Sequence, residues 1–391
     1  MGRKRAWLGV LLCLALTVQL CIRVRAQEEE AQSVLIEAPS GVLMEASTGQ
    51  VIYAKDAETR RSPASITKIM TLILIFDALE NGTLHMEDMV TASAYAQSMG
   101  GSQVFLEEGE QQNVETMIKC IVIASGNDAS VAMAEHLAGS EQEFVNRMNE
   151  RAKGLGMENT HFEDCCGLTD SANHYTTAQD VALMSRELVV SYPKILEYSS
   201  IWMDTMIHNT RRGSSEFGLT NTNKLIRSYD GCVGLKTGST SLAKYCVSAV
   251  AQRNGISLIA VVMAAPDYKA RFRDGAAMLN YGFSKCSLYV DENQEKLPPV
   301  AVEKGKKEEA SCEYEAPFRY LNVDGAAIGE PEKKLVLPDK IKAPVKKGDV
   351  LGKAQYLVDG KVLGEVNILS SEDVEKADFL YYLKWSAQQI F

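Results

Sequence analysis

From Ile69 to Phe76 the chain is apolar at every position but Thr71, and the run stops at Asn81-Gly82. Such a stretch predicts a helix buried over most of its surface and ended by a C-terminal glycine signal. Directly ahead stand Ser65 and Lys68, within Arg61-Ser-Pro-Ala-Ser-Ile-Thr-Lys-Ile-Met70. Residues three apart on a helix share a face, so a hydroxyl and an amine enter the interior side by side. The spacing alone does not explain why, because Ser-x-x-Lys recurs at Ser191–Lys194 and Ser241–Lys244.

At 391 residues the chain is long enough for two domains and a sizeable core. It opens with Arg3, Lys4 and Arg5, continues with an apolar run from Ala6 to Cys21, and offers Val24-Arg25-Ala26 as a small-residue cleavage site. This reads as an export signal over residues 1–26. An uncleaved anchor is the alternative, although the run is short beside the roughly 20 residues of a spanning helix. The chain carries 41 Lys+Arg against 51 Asp+Glu, and loss of residues 1–26 removes five of the basic ones. Phosphate binding relies on clustered cations, so nucleic acid is disfavoured as a partner.

Seven cysteines follow the signal: Cys120, Cys165, Cys166, Cys232, Cys246, Cys286 and Cys312. An odd number in an exported chain of this size does not describe a disulfide framework. Cys120, Cys246 and Cys286 sit in apolar surroundings and read as core residues. Cys165-Cys166 leaves a bridge or a reactive thiol open. The five histidines are scattered, with no His-Glu-x-x-His and no Cys-x-x-Cys, so the pattern calls for neither metal nor cofactor.

Two strands are expected at Ser40–Ala46 and Gln50–Ala54, joined by the turn Ser47-Thr48-Gly49. Residues 110 to 200 are mainly helical in pattern, with one helix from Val114 and another starting at Thr177-x-x-Asp180. Cys246–Val250 and Ile256–Ala264 read as strands joined by Arg253-Asn254-Gly255, a hairpin signal. Arg271 to Ser284 then reads as a helix. The polar, charged stretch from 290 to 312 reads as the join, with room for a strand, to a small all-β module, in which Leu335–Pro338, Val350–Gly352 and Lys361–Leu369 alternate with turns.

Three short motifs stand in order: Ser65-x-x-Lys68, Ser125-Gly126-Asn127 and Lys236-Thr237-Gly238. The first opens the apolar helix, the second interrupts an apolar helical stretch, and the third opens a strand leading into the hairpin. The decoys lack this context, since Ser191–Lys194 contains Pro193 and Ser241–Lys244 lies past the strand. The ordered triplet resembles the active site of the penicillin-recognising serine enzymes. The closest likeness is to the low-molecular-mass penicillin-binding proteins, the serine-type D-alanyl-D-alanine carboxypeptidases. Pro63–Lys68, Ser125–Ala129, His174–Asp180 and Asp230–Thr240 all look like that family.

The resemblance implies an α/β (α+β) catalytic domain of the transpeptidase/β-lactamase type over 32–288. A β-rich domain over 289–371 and an amphipathic, membrane-associating helix over 372–391 would follow. It also implies a peptidoglycan stem peptide ending in D-Ala-D-Ala as substrate, β-lactam antibiotics as acylating inhibitors, and a place at the outer face of the cytoplasmic membrane or in the wall. The expected roles follow the chemistry. Ser65 is the nucleophile, and Lys68, if neutral, is its base. Ser125 relays a proton to the leaving amine, and Asn127 holds the substrate amide and orients Lys68. Lys236 and Thr237 grip the terminal carboxylate, Gly238 completes the strand motif, and the backbone N–H groups of Ser65 and Ser239 form the oxyanion hole. Many family members carry histidine where this chain has Ser239. Asp180 either caps its helix, the favoured reading, or orders the loop before it. His174 reads as an ordinary structural histidine, with support of the active-site loop as the alternative, and no function is attached to Lys244. A β-lactamase is the rival reading, but the Glu-x-x-Leu-Asn context of such enzymes is missing between Asn127 and Lys236. A non-catalytic wall-binding protein is the other, and intact Ser65, Lys68 and Lys236 argue against it.

Overall fold

A computed structural model describes residues 36–323, 325 and 328–382; the expected signal segment and residues 383–391 of the tail lie outside these. The chain divides into two compact units, one reaching Gly282 and the other running from Phe283 onward together with Asn254–Ile256.

The first unit is built on a five-stranded sheet. Its strands are β1 (Ser40–Glu45), β2 (Val51–Lys55), β3 (Cys232–Thr240), β4 (Lys244–Arg253) and β5 (Ile256–Ala265), in the spatial order β2-β1-β5-β4-β3. The first two and last two expected strands are therefore neighbours across β1 and β5, which pair antiparallel from Ser40↔Met263 to Glu45↔Leu258. Successive strand residues point to opposite faces, and both faces here are buried. Val42, Met44, Ile259, Val261 and Met263 join the large helical core. Leu43 and Leu258 face the other way, where the helix Tyr268–Lys285 lies so close that a Cβ on Gly282 would sit 2.6 Å from Leu258 and 2.8 Å from Leu43.

The apolar run forms helix α1 (Lys68–Glu80), whose buried residues include Lys68, Ile69, Met70, Leu72, Ile73, Ile75 and Phe76. It is the hub of the helical core, packed among α2 (Val114–Val122), α3 (Asn127–Ala138) and α4 (Ala178–Ser191). Ser65 does not lie on α1 itself. A 3-10 turn, Ala64–Thr67, precedes it, and in such a turn residues i and i+3 eclipse one another. The Lys-Thr-Gly motif lies within β3 and does not open it, because the strand begins at Cys232.

In the second unit the polar stretch expected to be a join carries strands at Val300–Glu303, Glu309–Ala310 and Cys312–Tyr314. Strands Glu332–Val336, Val350–Val358, Lys361–Ser370 and Cys312–Tyr314 form an antiparallel sheet. Its core includes a stacked pair, Phe318 on Tyr356, with ring centroids 3.7 Å apart. No helix among the described residues is long and apolar enough to cross a membrane.

Candidate active site

The structure brings the three motifs together around one amine. Lys68 Nζ lies 3.0 Å from Ser65 Oγ, 2.6 Å from Asn127 Oδ1 and 2.8 Å from the carbonyl of Cys166. Asn127 donates its own Nδ2 to the Gly100 carbonyl at 2.7 Å, which fixes its amide with the oxygen toward the lysine. The two carbonyl oxygens can only accept, so they take two N–H bonds of Lys68. In the neutral amine the remaining position is a lone pair aimed at the Ser65 hydroxyl. Lys68 is fully buried, and burial pushes its pKa below the ordinary 10.5, with Cys166, Cys165, Asp164 and Asp128 acting the other way.

Lys236 projects from β3 to Ser125, its Nζ donating at 2.8 Å to Ser125 Oγ and at 3.0 Å to the Thr237 carbonyl. Burial, then Lys68, then Arg271 hold its pKa well below the usual lysine value. Thr237 Oγ1 donates to Thr222 Oγ1 at 2.7 Å. Ser239, the next side chain but one, is exposed at the strand end. Gly238 has a steric reason to be glycine. A Cβ there would lie 2.7 Å from the Pro63 carbonyl and 3.1 Å from Ser65 N, so β3 could not run this close to the nucleophile turn.

Backbone strain surrounds the reacting groups. Ala64 and Ser125 have φ of 47° and 62°, left-handed values costly for residues with a Cβ. Ser125 sits in the break between α2 and α3, held by Gly126 N donating to the Cys120 carbonyl at 3.0 Å and by Asn127 N donating to the Ser102 carbonyl at 2.8 Å. The buried Asp128 carboxylate accepts from the backbone N–H groups of Val104 and Leu106, each at 3.1 Å, tying down the loop that carries Gly100.

Several functional residues escape sequence reasoning. The loop Glu163–Thr169 supplies the Cys166 carbonyl, and Asp164 shapes it by accepting from the backbone N–H groups of Cys166, Gly167, Leu168 and Thr169. The Cys165 carbonyl accepts from Thr71 on α1. Gly167, at φ 75°, lies against the nucleophile turn: a Cβ would be 1.8 Å from the Ala64 carbonyl oxygen. His174, by contrast, takes the less favoured of its two expected roles, support of the active-site loop. Its Nδ1 accepts from Glu163 N at 3.0 Å, which leaves the proton on Nε2 to donate to Thr67 Oγ1 at 2.8 Å. Burial lowers its pKa below 6.5, in keeping with that neutral tautomer. Arg271, from the helix after β5, donates to the Gly238 carbonyl at 3.2 Å.

Of the two readings of Asp180 the favoured one, the cap, needs correcting, and the loop-ordering one holds. Thr177 caps α4 by accepting from Asp180 N at 3.0 Å. The Asp180 carboxylate instead holds the loop before the helix, accepting from Asn159 N at 3.1 Å and Thr160 Oγ1 at 2.7 Å. Cys165 and Cys166 are both buried free thiols.

The model of the D-alanyl-D-alanine carboxypeptidase family matches residues 26–267. The chain belongs to this family. The model of the penicillin-binding protein 5 C-terminal domain matches residues 283–376. The D-alanyl-D-alanine carboxypeptidase DacF of Bacillus subtilis is 43% identical over 349 residues, covering 89% of this chain and 88% of the relative. Among solved structures, penicillin-binding protein 5 of Haemophilus influenzae is 30% identical with a TM-score of 0.68, covering 88% of this chain and 98% of that one. PBP3 of Streptococcus pneumoniae, described as a peptidoglycan synthesis regulatory factor, is 25% identical with a TM-score of 0.70 and coverage of 87% and 100%. The fold is thus the penicillin-binding one, a mixed α/β catalytic unit with a C-terminal all-β domain, and this chain is a serine-peptidase hydrolase.

Proposed function

We propose that this chain removes the terminal D-alanine from peptidoglycan stem peptides through an acyl-enzyme on Ser65. The observation that carries the proposal is the Lys68 amine, with two carbonyls accepting its N–H bonds and Ser65 Oγ at its third position. Lys68 takes the Ser65 proton as the oxygen attacks the carbonyl between the two D-alanines. The backbone N–H groups of Ser65 and Ser239 hold the oxyanion, Asn127 holds the substrate amide, and Ser125 returns a proton to the leaving amine. The deacylating water restores Ser65. Thr237, Lys236 and the Gly238 stretch of β3 hold the terminal carboxylate of the departing residue.

The two buried amines divide one task. Burial disfavours the cationic form of both. An arriving carboxylate reverses this at Lys236, because an opposite charge favours the protonated form. The cation so formed raises the cost of charging Lys68, so substrate binding itself readies the base. The kcat/KM for a D-Ala-D-Ala peptide should therefore rise with pH along a limb centred below the ordinary lysine value of 10.5. A limb centred on that value would remove Lys68 from the role of base.

Penicillin should acylate the enzyme stoichiometrically and leave slowly, and a D-Ala-D-Ala peptide should release D-alanine. Rapid turnover of a chromogenic cephalosporin without D-alanine release would make the chain a β-lactamase instead.

Export over 1–26 and attachment through the tail belong to the same proposal. Among the described residues the tail expected to be helical from 372 is helical only over 379–382, because Val374 and Lys376 pair instead with Val345 and Gly305 in the β unit. The exposure of Phe379 and Leu380, 80% and 64%, supports attachment, as in helices that lie in the membrane interface. A chain ending near Asp378, which keeps the buried Val374 and the paired Lys376, is expected to move from the membrane fraction to the soluble one and keep its activity on small peptides. Unchanged fractionation, or loss of folding, would make the tail a structural element.

A further inference from the structure

A cleft of about 590 Å³ borders the nucleophile turn and takes no part in the chemistry above. Its walls include Arg60 and Arg61 on the segment leading to Ser65, Asp170 and Tyr175 on the loop after Gly167, and Leu242 on the turn after Ser239. The cleft is fixed to the reacting serine from two sides. Arg61 bridges antiparallel to Thr176, and β3, which leads to Leu242, touches the Pro63–Ser65 backbone at Gly238. On the carboxypeptidase reading, a peptide with its terminal carboxylate at Lys236 and Thr237 and its reacting carbonyl at Ser65 would extend its acyl half away from Lys236, past Ser239 and toward this cleft.

The two arginines differ in what they already hold. Arg60 stacks on the Tyr175 ring at 4.5 Å and donates to Asn159 Oδ1 from Nε and Nη2 at 3.2 and 3.0 Å. Arg61 has no ion pair among the described residues, and its Nε is buried without a hydrogen-bond partner. A guanidinium is a planar fork of donors that matches a carboxylate and keeps its charge. Asp170, on the same cleft, would repel an anion and so tune how strongly one is held.

We propose that Arg61 makes this cleft the acyl-side subsite, taking a free carboxylate on the residue that precedes the D-Ala-D-Ala pair. The proposal rests on the carboxypeptidase reading above. Its test uses the whole protein and peptides of the form acetyl-X-D-Ala-D-Ala, where X is L-glutamate, L-2-aminoadipate or L-2-aminopimelate, each also made as its side-chain amide. At low salt, kcat/KM for D-alanine release should favour the carboxylate over its amide by about tenfold or more at one chain length at least, the scale of a charged hydrogen bond. That ratio should fall toward one in Arg61→Met and rise in Asp170→Asn. A ratio near one at all three lengths in the unaltered protein overturns the proposal, as does a preference that survives Arg61→Met. Should Arg61→Met fail to fold, the decision passes to Asp170→Asn and to Arg61→Lys, which keeps the charge but loses the fork and should lower the ratio. Failure to release D-alanine from any of these peptides would instead sink the carboxypeptidase reading, and the subsite with it.

Discussion

Ser65→Ala is expected to abolish both D-alanine release and the penicillin adduct while leaving the protein folded. The loss in kcat should be on the order of 10⁴-fold or more, because nucleophile and base act as a unit and removal of either collapses the covalent route. Folding should survive because Ser65 Oγ is needed by no backbone group, and its side chain is only partly buried. The contrast with Lys68 sharpens the test. Lys68→Ala should be as inactive but also less stable, since it strips the donor from Asn127 Oδ1 and the Cys166 carbonyl, and buried acceptors left unpaired cost roughly 1–3 kcal/mol each. Mass spectrometry of penicillin-treated protein, with peptide mapping and thermal melts of both variants, checks this. An adduct that persists in Ser65→Ala, or maps to Ser191 or Ser241, would end the mechanism.

Gly167→Ala is expected to cripple the enzyme although residue 167 touches no substrate. Two penalties add at this position. Its φ of 75° is left-handed, which costs a residue with a Cβ roughly 1–2 kcal/mol. The new carbon would also lie 1.8 Å from the Ala64 carbonyl oxygen, so the loop must leave the nucleophile turn or the turn must shift. Either movement takes the Cys166 carbonyl from Lys68, and displacement of a catalytic group by about 1 Å can cost 10²-fold in rate. Gly156→Ala separates the two penalties, since Gly156 has the same φ of 75° but nothing within 4 Å of the place its new methyl would occupy. It should lose stability by the backbone penalty alone and keep full activity. Equal behaviour of the two variants in melts and in D-alanine release would refute the steric account.

The sequence speaks clearly where chemistry resides in side chains of fixed spacing. Ser65 and Lys68 meet because they stand three positions apart, one helical turn. Ser125 and Asn127 are legible because they interrupt an apolar helical pattern, and Lys236 because its motif lies on a strand. The β1–β2 and β4–β5 hairpins follow from turn residues between apolar runs. What cannot be read is the part played by backbone. The Cys166 carbonyl has no side-chain signature, and its position depends on Asp164 collecting four N–H groups in a turn. Thr222 and Arg271 reach β3 from segments far away in sequence, and no local periodicity announces such partners. The 3-10 turn at Ala64–Thr67 is hidden because its residues suit an α-helical start equally well. The cap expected of Asp180 is already provided by Thr177, three residues earlier.

That Lys68 leans on a peptide carbonyl has a consequence for how this enzyme can change. A carbonyl is supplied by every amino acid, so the proton-handling lysine makes no demand on the identity of the side chain at position 166. Chemical freedom there is wide, limited by the volume of the pocket that Cys166 fills. The constraint falls on the residues that set the path of the loop, Asp164 and Gly167, neither of which bonds to the lysine. Mutational tolerance near the reacting serine should therefore follow the geometry of the main chain, and a map of permitted substitutions would show its tightest positions one step away from the atoms that react.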